Sequence, residues 1–311
     1  MRPAGLRDAS QRVRVRVPGK VNLALAVGAR RADGYHSLAT VFQAVSLYDE
    51  VVAVSCADRI SLRVSGEQVA DVPSGPDNLA WRAAELLRDR YGAPEMGAEL
   101  NLMKAIPVAG GMAGGSADAA GALLACSVLW DLEVTGAQLH ALATELGSDV
   151  PFALLGGTAL GRGRGEELVP LLTRGVYHWV FAVSQVGLST PAVFTRFDEL
   201  VAHPGPLAVS DELLNALARG QIEQVAAELA NDLQAAALDL RPELRPLLLS
   251  GLNAGALGAV LSGSGPTIAF LCATQRAAQG VAEHLSDTDG LRAVRYARGP
   301  APGAQIAAPG D

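Results

Sequence analysis

The stretch Pro107-Val-Ala-Gly-Gly-Met-Ala-Gly-Gly-Ser-Ala117 constrains this chain more than any other. It sits between a short strand-like run, Glu99 to Met103, and an Ala/Leu-rich run, Ser116 to Trp130, that reads as a long helix. A strand, a small-residue loop and a helix N-terminus in that order make an anion site. Backbone without side chains can approach phosphates, and the loop N–H groups and the positive end of the helix dipole complement the charge. Tight helix packing needs one or two glycines, whereas this loop holds four. It matches neither standard nucleotide fingerprint: no Lys follows the glycines, and the G-x-G-x-x-G spacing is absent.

The rest of the composition fits a globular enzyme. Half of the 311 residues are hydrophobic and 18% are charged, enough apolar material for one large or two ordinary domains. The net charge of -7 argues against a nucleic-acid partner, which needs a clustered basic face. Cys56, Cys126 and Cys272 are far apart, with no metal-ligand spacing and no complete disulfide framework, as in a reduced cytoplasmic protein. The N-terminus has no apolar stretch of the signal-peptide kind. The uncharged segment Ser250 to Gln275 is broken by five glycines and Pro266, so it reads as strand, loop, strand rather than a membrane span.

Arg12 to Val17 alternates R-V-R-V-R-V, the period of a half-buried strand; Pro18-Gly19 interrupts it and Val21 to Val27 resumes. Further strands are expected over 50–55, 60–64, 176–183, 256–261, 267–272 and 291–296. Helices are expected over 77–91, 116–130, 191–201, 211–219, 221–238, 242–249 and 275–285, and Thr135 with Gln138 forms a capping box for another that stops at Gly147. Without regular βαβ alternation the class is α+β. The expected division is a tail over 1–12, an N-terminal catalytic domain over 13–165, a C-terminal substrate-side domain over 166–298 and a disordered tail over 299–311. No stripe marks an interface, so a monomer or weak homodimer is expected.

Two other segments accompany the loop. In Pro18-Gly-Lys-Val-Asn-Leu23, Lys20 is flanked by apolar residues; a buried functional cation and an edge-strand lysine explain it equally well. Leu261-Ser-Gly-Ser-Gly-Pro-Thr267 alone is only a turn.

In this order and spacing, the three segments resemble the three motifs of the GHMP kinases, the superfamily of galactokinase, homoserine kinase and mevalonate kinase. Arg31-Ala-Asp-Gly-Tyr-His36, Leu146-Gly-Ser-Asp-Val-Pro-Phe152 and Leu188-Ser-Thr-Pro-Ala-Val-Phe194 make the resemblance specific to the branch whose acceptor carries a cytidine diphosphate moiety, in the non-mevalonate isoprenoid pathway. It runs from about Val13 to Arg298. It implies two α+β domains with the active site in the cleft between them, and ATP with Mg²⁺ as donor. It implies Lys20 and Asp149 as the catalytic pair, and Pro107, Val108, Ala109, Gly110, Gly111, Met112, Ala113, Gly114, Gly115, Ser116 and Ala117 as the ATP loop; from its position alone, the Ser116 hydroxyl either caps the helix or faces a phosphate or Mg²⁺. Asn22, Tyr35, His36, Thr190 and Phe194 are implied as substrate contacts. Ala109 and Ala113 stand where many members have Gly, so ordinary dihedrals are expected there. Ala117 replaces a second Ser.

Several residues have a plain alternative. Asp149, ahead of Pro151, reads on its own as a helix cap; the resemblance makes it a base that stays ionised beside an ammonium. Asp33-Gly34 is hairpin chemistry that does not call for two rings beside it. Phe194 is equally at home in a core. His140, His178, His203 and His284 have no metal spacing. Arg162 and Arg164 either reach a phosphate or belong to a solvated loop. The rival activities are another GHMP kinase, of the homoserine or mevalonate type, and a non-catalytic ATP-binding sensor, for which a base would have no use.

Overall fold

A computed structural model describes residues 11–308. The first half of the chain gives β1 (Arg12–Arg30), β2 (His36–Ala57), β3 (Ile60–Gly66), α1 (Leu79–Tyr91), β4 (Met96–Lys104), α2 (Gly114–Leu129), α3 (Gly136–Leu146), α4 (Val150–Leu155), β5 (Thr158–Arg162) and β6 (Glu167–Pro170). The second half gives β7 (Tyr177–Ser184), α5 (Thr190–Leu200), α6 (Asp211–Arg219), α7 (Ile222–Ala227), β8 (Ala230–Asn231), α8 (Gln234–Leu240), α9 (Leu244–Asn253), β9 (Gly258–Leu261), β10 (Ile268–Cys272), α10 (Gln275–Ser286), β11 (Leu291–Gly299) and β12 (Gln305–Ile306). Helices and mostly antiparallel strands mix as α+β.

One sheet runs β12-β1-β2-β4-β3, with β5 and β6 continuing beside the first half of β2 and β8 lying parallel to β1. The other is antiparallel, β11-β7-β10-β9. Trp179 Nε1 on β7 donates to Gln43 Oε1 on β2 at 2.9 Å and ties the two together. Helix α2 lies on the first sheet, its buried alanines making room for close approach. Gly121 is required there: a Cβ would stand 2.6 Å from Val51 and 2.8 Å from Val17.

Pro18-Gly19 does not end the first strand. β1 continues through it with a register shift against β2, a bulge of the kind that re-aims the residues that follow. Beyond it, Val21 and Leu23 face the core under α2, while Lys20 and Asn22 share the opposite face.

Three expectations are corrected. The helix foreseen over 221–238 breaks into α7, β8 and α8. Asn231 and Asp232 use their side chains in place of helical bonding: Asn231 Oδ1 accepts from Leu233 N at 2.9 Å and Asp232 Oδ2 from Val27 N at 2.9 Å, which docks β8 on β1. The segment 299–308 is not a disordered tail, and residues 309–311 lie outside the described residues. Ala301 N donates to Ala44 O, Ala304 N to Ala153 O and Ala307 N to Arg14 O, each at 2.8–2.9 Å, and β12 pairs with β1. At the other end, Arg12 already lies in β1, while residues 1–10 of the foreseen tail lie outside the described residues. Finally, Ala109 (φ 53°) and Ala113 (φ 60°) are left-handed rather than ordinary. Neighbouring loop carbonyls are held from outside, Met112 O by Lys20 N at 3.2 Å and Gly111 O by Ser262 Oγ at 3.0 Å, and this fixes the path at a cost of roughly 1–2 kcal/mol per alanine.

Candidate active site

The three small-residue segments converge. Besides the contacts just given, Ser262 Oγ reaches Lys20 O at 3.5 Å, and Asn231 Nδ2 donates to Leu261 O and Gly263 O at 2.9 and 2.7 Å. Packing is so close that a Cβ on Gly111 (φ +74°) would stand 2.0 Å from Ser262 O, and one on Gly263 would stand 3.0 Å from Lys20 Nζ.

Around them lies a cavity of about 340 Å³, lined by Lys20, Asn22, the glycine loop, Ser148, Asp149, Thr190 and Phe194. Of the loop, Pro107, Ala109, Gly110, Gly111, Ala113, Gly114 and Gly115 face it. Met112 and Ala117 are buried in the core instead, and Val108 and Ser116 are not among the lining residues.

Lys20 is buried, and its Nζ donates to Asn22 Oδ1 at 2.6 Å; Asn22 Nδ2 donates to Thr40 Oγ1 at 2.8 Å, and Thr40 in turn to Ala24 O at 2.7 Å. This chain fixes the ammonium in one place. Burial pulls Lys20 below the usual lysine value, and the Asp149 carboxylate acts in the opposite direction. Asp149 sits at the N-cap position of α4, yet its side chain makes no capping bond, so the carboxylate remains free to work in the cavity.

A second cavity of about 570 Å³ adjoins the first and holds Tyr35, His36, Phe194 and Asp198. The turn that presents Tyr35 is hairpin-like: Gly34 has φ +85° and Asp33 Oδ1 accepts from Tyr35 N at 3.1 Å. Tyr35 is 58% exposed. His36 is buried and stacks on Phe194, centroids 4.9 Å apart at 27°, so Phe194, which also packs against the core, forms part of the cavity wall. His36 Nε2 meets Asp198 Oδ1 at 2.8 Å. A carboxylate oxygen only accepts, so Nε2 carries the proton and, in the neutral ring, Nδ1 is an acceptor. Thr190 Oγ1 shares a hydrogen bond with Ser264 Oγ at 2.8 Å, joining α5 to the third small-residue loop.

Sequence reasoning missed Thr40, Ser148, Asp198 and Ser264. Ser148 and Ser264 lay inside motifs already singled out; Thr40 and Asp198 had no local signal. Among the described residues no group of three His, Cys, Asp or Glu side chains is placed to hold a metal.

A phosphate-type loop, a buried lysine and a free carboxylate in one cavity define a small-molecule kinase, and the comparisons agree: the chain belongs to the GHMP kinases. Residues 78–157 match the family model for the GHMP kinases N terminal domain and residues 213–289 that for the GHMP kinases C terminal. Within the family it is similar to the 4-diphosphocytidyl-2-C-methyl-D-erythritol kinases of Cutibacterium acnes (54% identical, covering 94% of this chain and 96% of that one) and Mycolicibacterium smegmatis (56%, covering 94% and 92%). A crystal structure of 4-(cytidine 5'-diphospho)-2C-methyl-D-erythritol kinase superposes with a TM-score of 0.75 at 35% identity, over 91% of this chain and 98% of that one. The mevalonate kinase of L. major shares the fold, with a TM-score of 0.73 at 16% identity over 91% of this chain and 94% of that one.

Proposed function

We propose that this chain transfers the γ-phosphoryl group of ATP to the 2-hydroxyl of 4-diphosphocytidyl-2-C-methyl-D-erythritol, in the cytoplasm, as a step of the non-mevalonate isoprenoid pathway. The observation that carries the reading is the joint placement of Lys20, Asp149 and the glycine loop in one cavity, with an aromatic second cavity beside it.

In this reading the triphosphate lies along Gly110 to Gly115, facing the N-terminus of α2. Asp149 accepts the proton of the acceptor hydroxyl as its oxygen bonds to the γ-phosphorus and the bond to ADP breaks. Lys20, held by Asn22, offsets charge on the transferring group. Mg²⁺ enters with the triphosphate as part of the substrate, and Ser116, in the first turn of α2 beside the cavity-facing Gly115, is the loop hydroxyl closest in sequence to it. The cytosine lies against Tyr35, His36 and Phe194, with the His36 ring oriented by its Nε2 contact to Asp198.

The test is ADP release with homoserine, mevalonate and the cytidyl substrate offered separately. Turnover with the cytidyl substrate alone is expected. Turnover with homoserine or mevalonate in its place would overturn the assignment.

A further inference from the structure

The two cavities are not separate sites. Leu38, Ser148, Arg164, Thr190 and Phe194 line both. A substrate with its reacting hydroxyl beside Asp149 and its base beside His36 must pass its middle through this shared wall. That middle is a diphosphate, and its charge needs a donor of opposite sign. Among the five shared residues Arg164 is the one cation.

Arg164 is also prepared for such a role. It sits in the β5–β6 turn between Gly163 (φ +71°) and Gly165 (φ +113°). One carboxylate, Glu166, holds both ends of the residue: Oε2 accepts from Arg164 N at 2.6 Å, and Oε1 lies 3.5 Å from Nε. The guanidinium is 5.3 Å from the centroid of the Tyr35 ring. Glu166 takes the Nε side, and Nη1 and Nη2 have no hydrogen-bond acceptor among the described residues. A guanidinium held by a carboxylate and a ring, with its outer nitrogens uncommitted at the junction of two cavities, has the geometry of a bidentate phosphate clamp.

We infer that Arg164 binds the diphosphate of the nucleoside-diphosphate substrate and so sets the enzyme's preference for a diphosphate-bearing acceptor over a nucleoside. The inference rests on the proposed substrate class. Arg162, on the exposed end of β5, lines neither cavity and has no share in it.

CDP and cytidine, tested as competitive inhibitors against the cytidyl substrate, separate the possibilities. In the wild type CDP binds more tightly than cytidine. In Arg164→Gln the CDP inhibition constant is expected to rise about 10–100-fold, the worth of hydrogen bonds to a charged group, while the cytidine constant and the KM for ATP stay within about twofold. Arg164→Lys should recover part of the CDP preference, since it keeps the charge without the fork. A melting curve confirms that the variants are folded. Equal weakening of CDP and cytidine would overturn the inference, because Arg164 would then act only through Tyr35. So would no change in either constant, which would leave Arg164 a solvated loop cation. A wild-type enzyme that binds neither compound would refute the substrate class itself, before any variant is compared.

Discussion

Lys104 Nζ lies 2.5 Å from Asp118 Oδ2, and both side chains are buried, one at the end of β4 and the other in the first turns of α2. The same ammonium donates to Asp49 and, at 3.3 Å, to Gly114 O. Asp49 Oδ1 accepts in turn from Ala105 N at 2.6 Å and Ile106 N at 2.8 Å. The cluster therefore joins the two ends of the glycine loop from behind. Burial, reinforced by Asp49 and opposed by Lys104, pushes the Asp118 carboxyl up to about 8. Burial alone would lower Lys104, but Asp118 and Asp49 outweigh it and hold it above the usual lysine value. Near neutral pH Lys104 is thus an ammonium and Asp118 keeps its proton.

This arrangement fixes a sign. Asp118 has an ordinary value of 3.8 when exposed and about 8 when folded, so between those values the folded state keeps a proton that the unfolded state has lost. Its contribution to stability is full below about 4 and declines as pH rises towards 8. Asp118→Asn cannot titrate. Urea denaturation across pH 5 to 9 should show the wild type losing stability relative to the variant as pH rises. Parallel profiles would contradict the buried protonated carboxyl.

Gly115 offers a clean test of the loop. It is exposed to the cavity, and a Cβ there would meet only Leu79, at 3.7 Å. Gly114 is less suitable, because a Cβ there would press on Ile106 and Lys104 at 3.3 Å. Gly115→Val should lose ATP binding in calorimetric titration while its melting temperature stays near wild type. Wild-type ATP affinity with a lowered melting temperature would mean that the glycine serves helix packing and not phosphate.

Phe194 lies against His36 and lines both cavities, so its removal should be felt by the acceptor substrate. Phe194→Ala is expected to raise KM for the cytidyl substrate by the loss of about 1–3 kcal/mol of stacking, with KM for ATP unchanged. An unaltered acceptor KM in the folded variant would leave the ring a purely structural role.

Most elements and the cavity-forming motifs were legible in the sequence because their signals are local: the R-V-R-V-R-V alternation, the Thr135–Gln138 capping box, and glycines crowded ahead of a helix. What could not be read depends on distant partners. Lys104, Asp49 and Asp118 form one cluster across separations of 55 and 14 residues, and the one local hint was an aspartate in an alanine-rich helix. The left-handed alanines are imposed by Lys20 and Ser262, which propensity does not include. The Pro/Gly-rich C-terminal segment looks unstructured in sequence, yet its order comes from backbone bonds to β1, β2 and α4.

The role of Asp149 is the centre of the account, and Asp149→Asn tests it most directly, since asparagine keeps the shape of the side chain and cannot take up the hydroxyl proton. Steady-state turnover should be measured with ATP and the cytidyl substrate both saturating, beside calorimetric titration of ATP. The account predicts near-normal ATP affinity and a fall in kcat of about 10²–10⁴-fold, the range of general acid–base catalysis. A kcat within about threefold of wild type would contradict it, because a contribution of that size is below what a positioned base supplies.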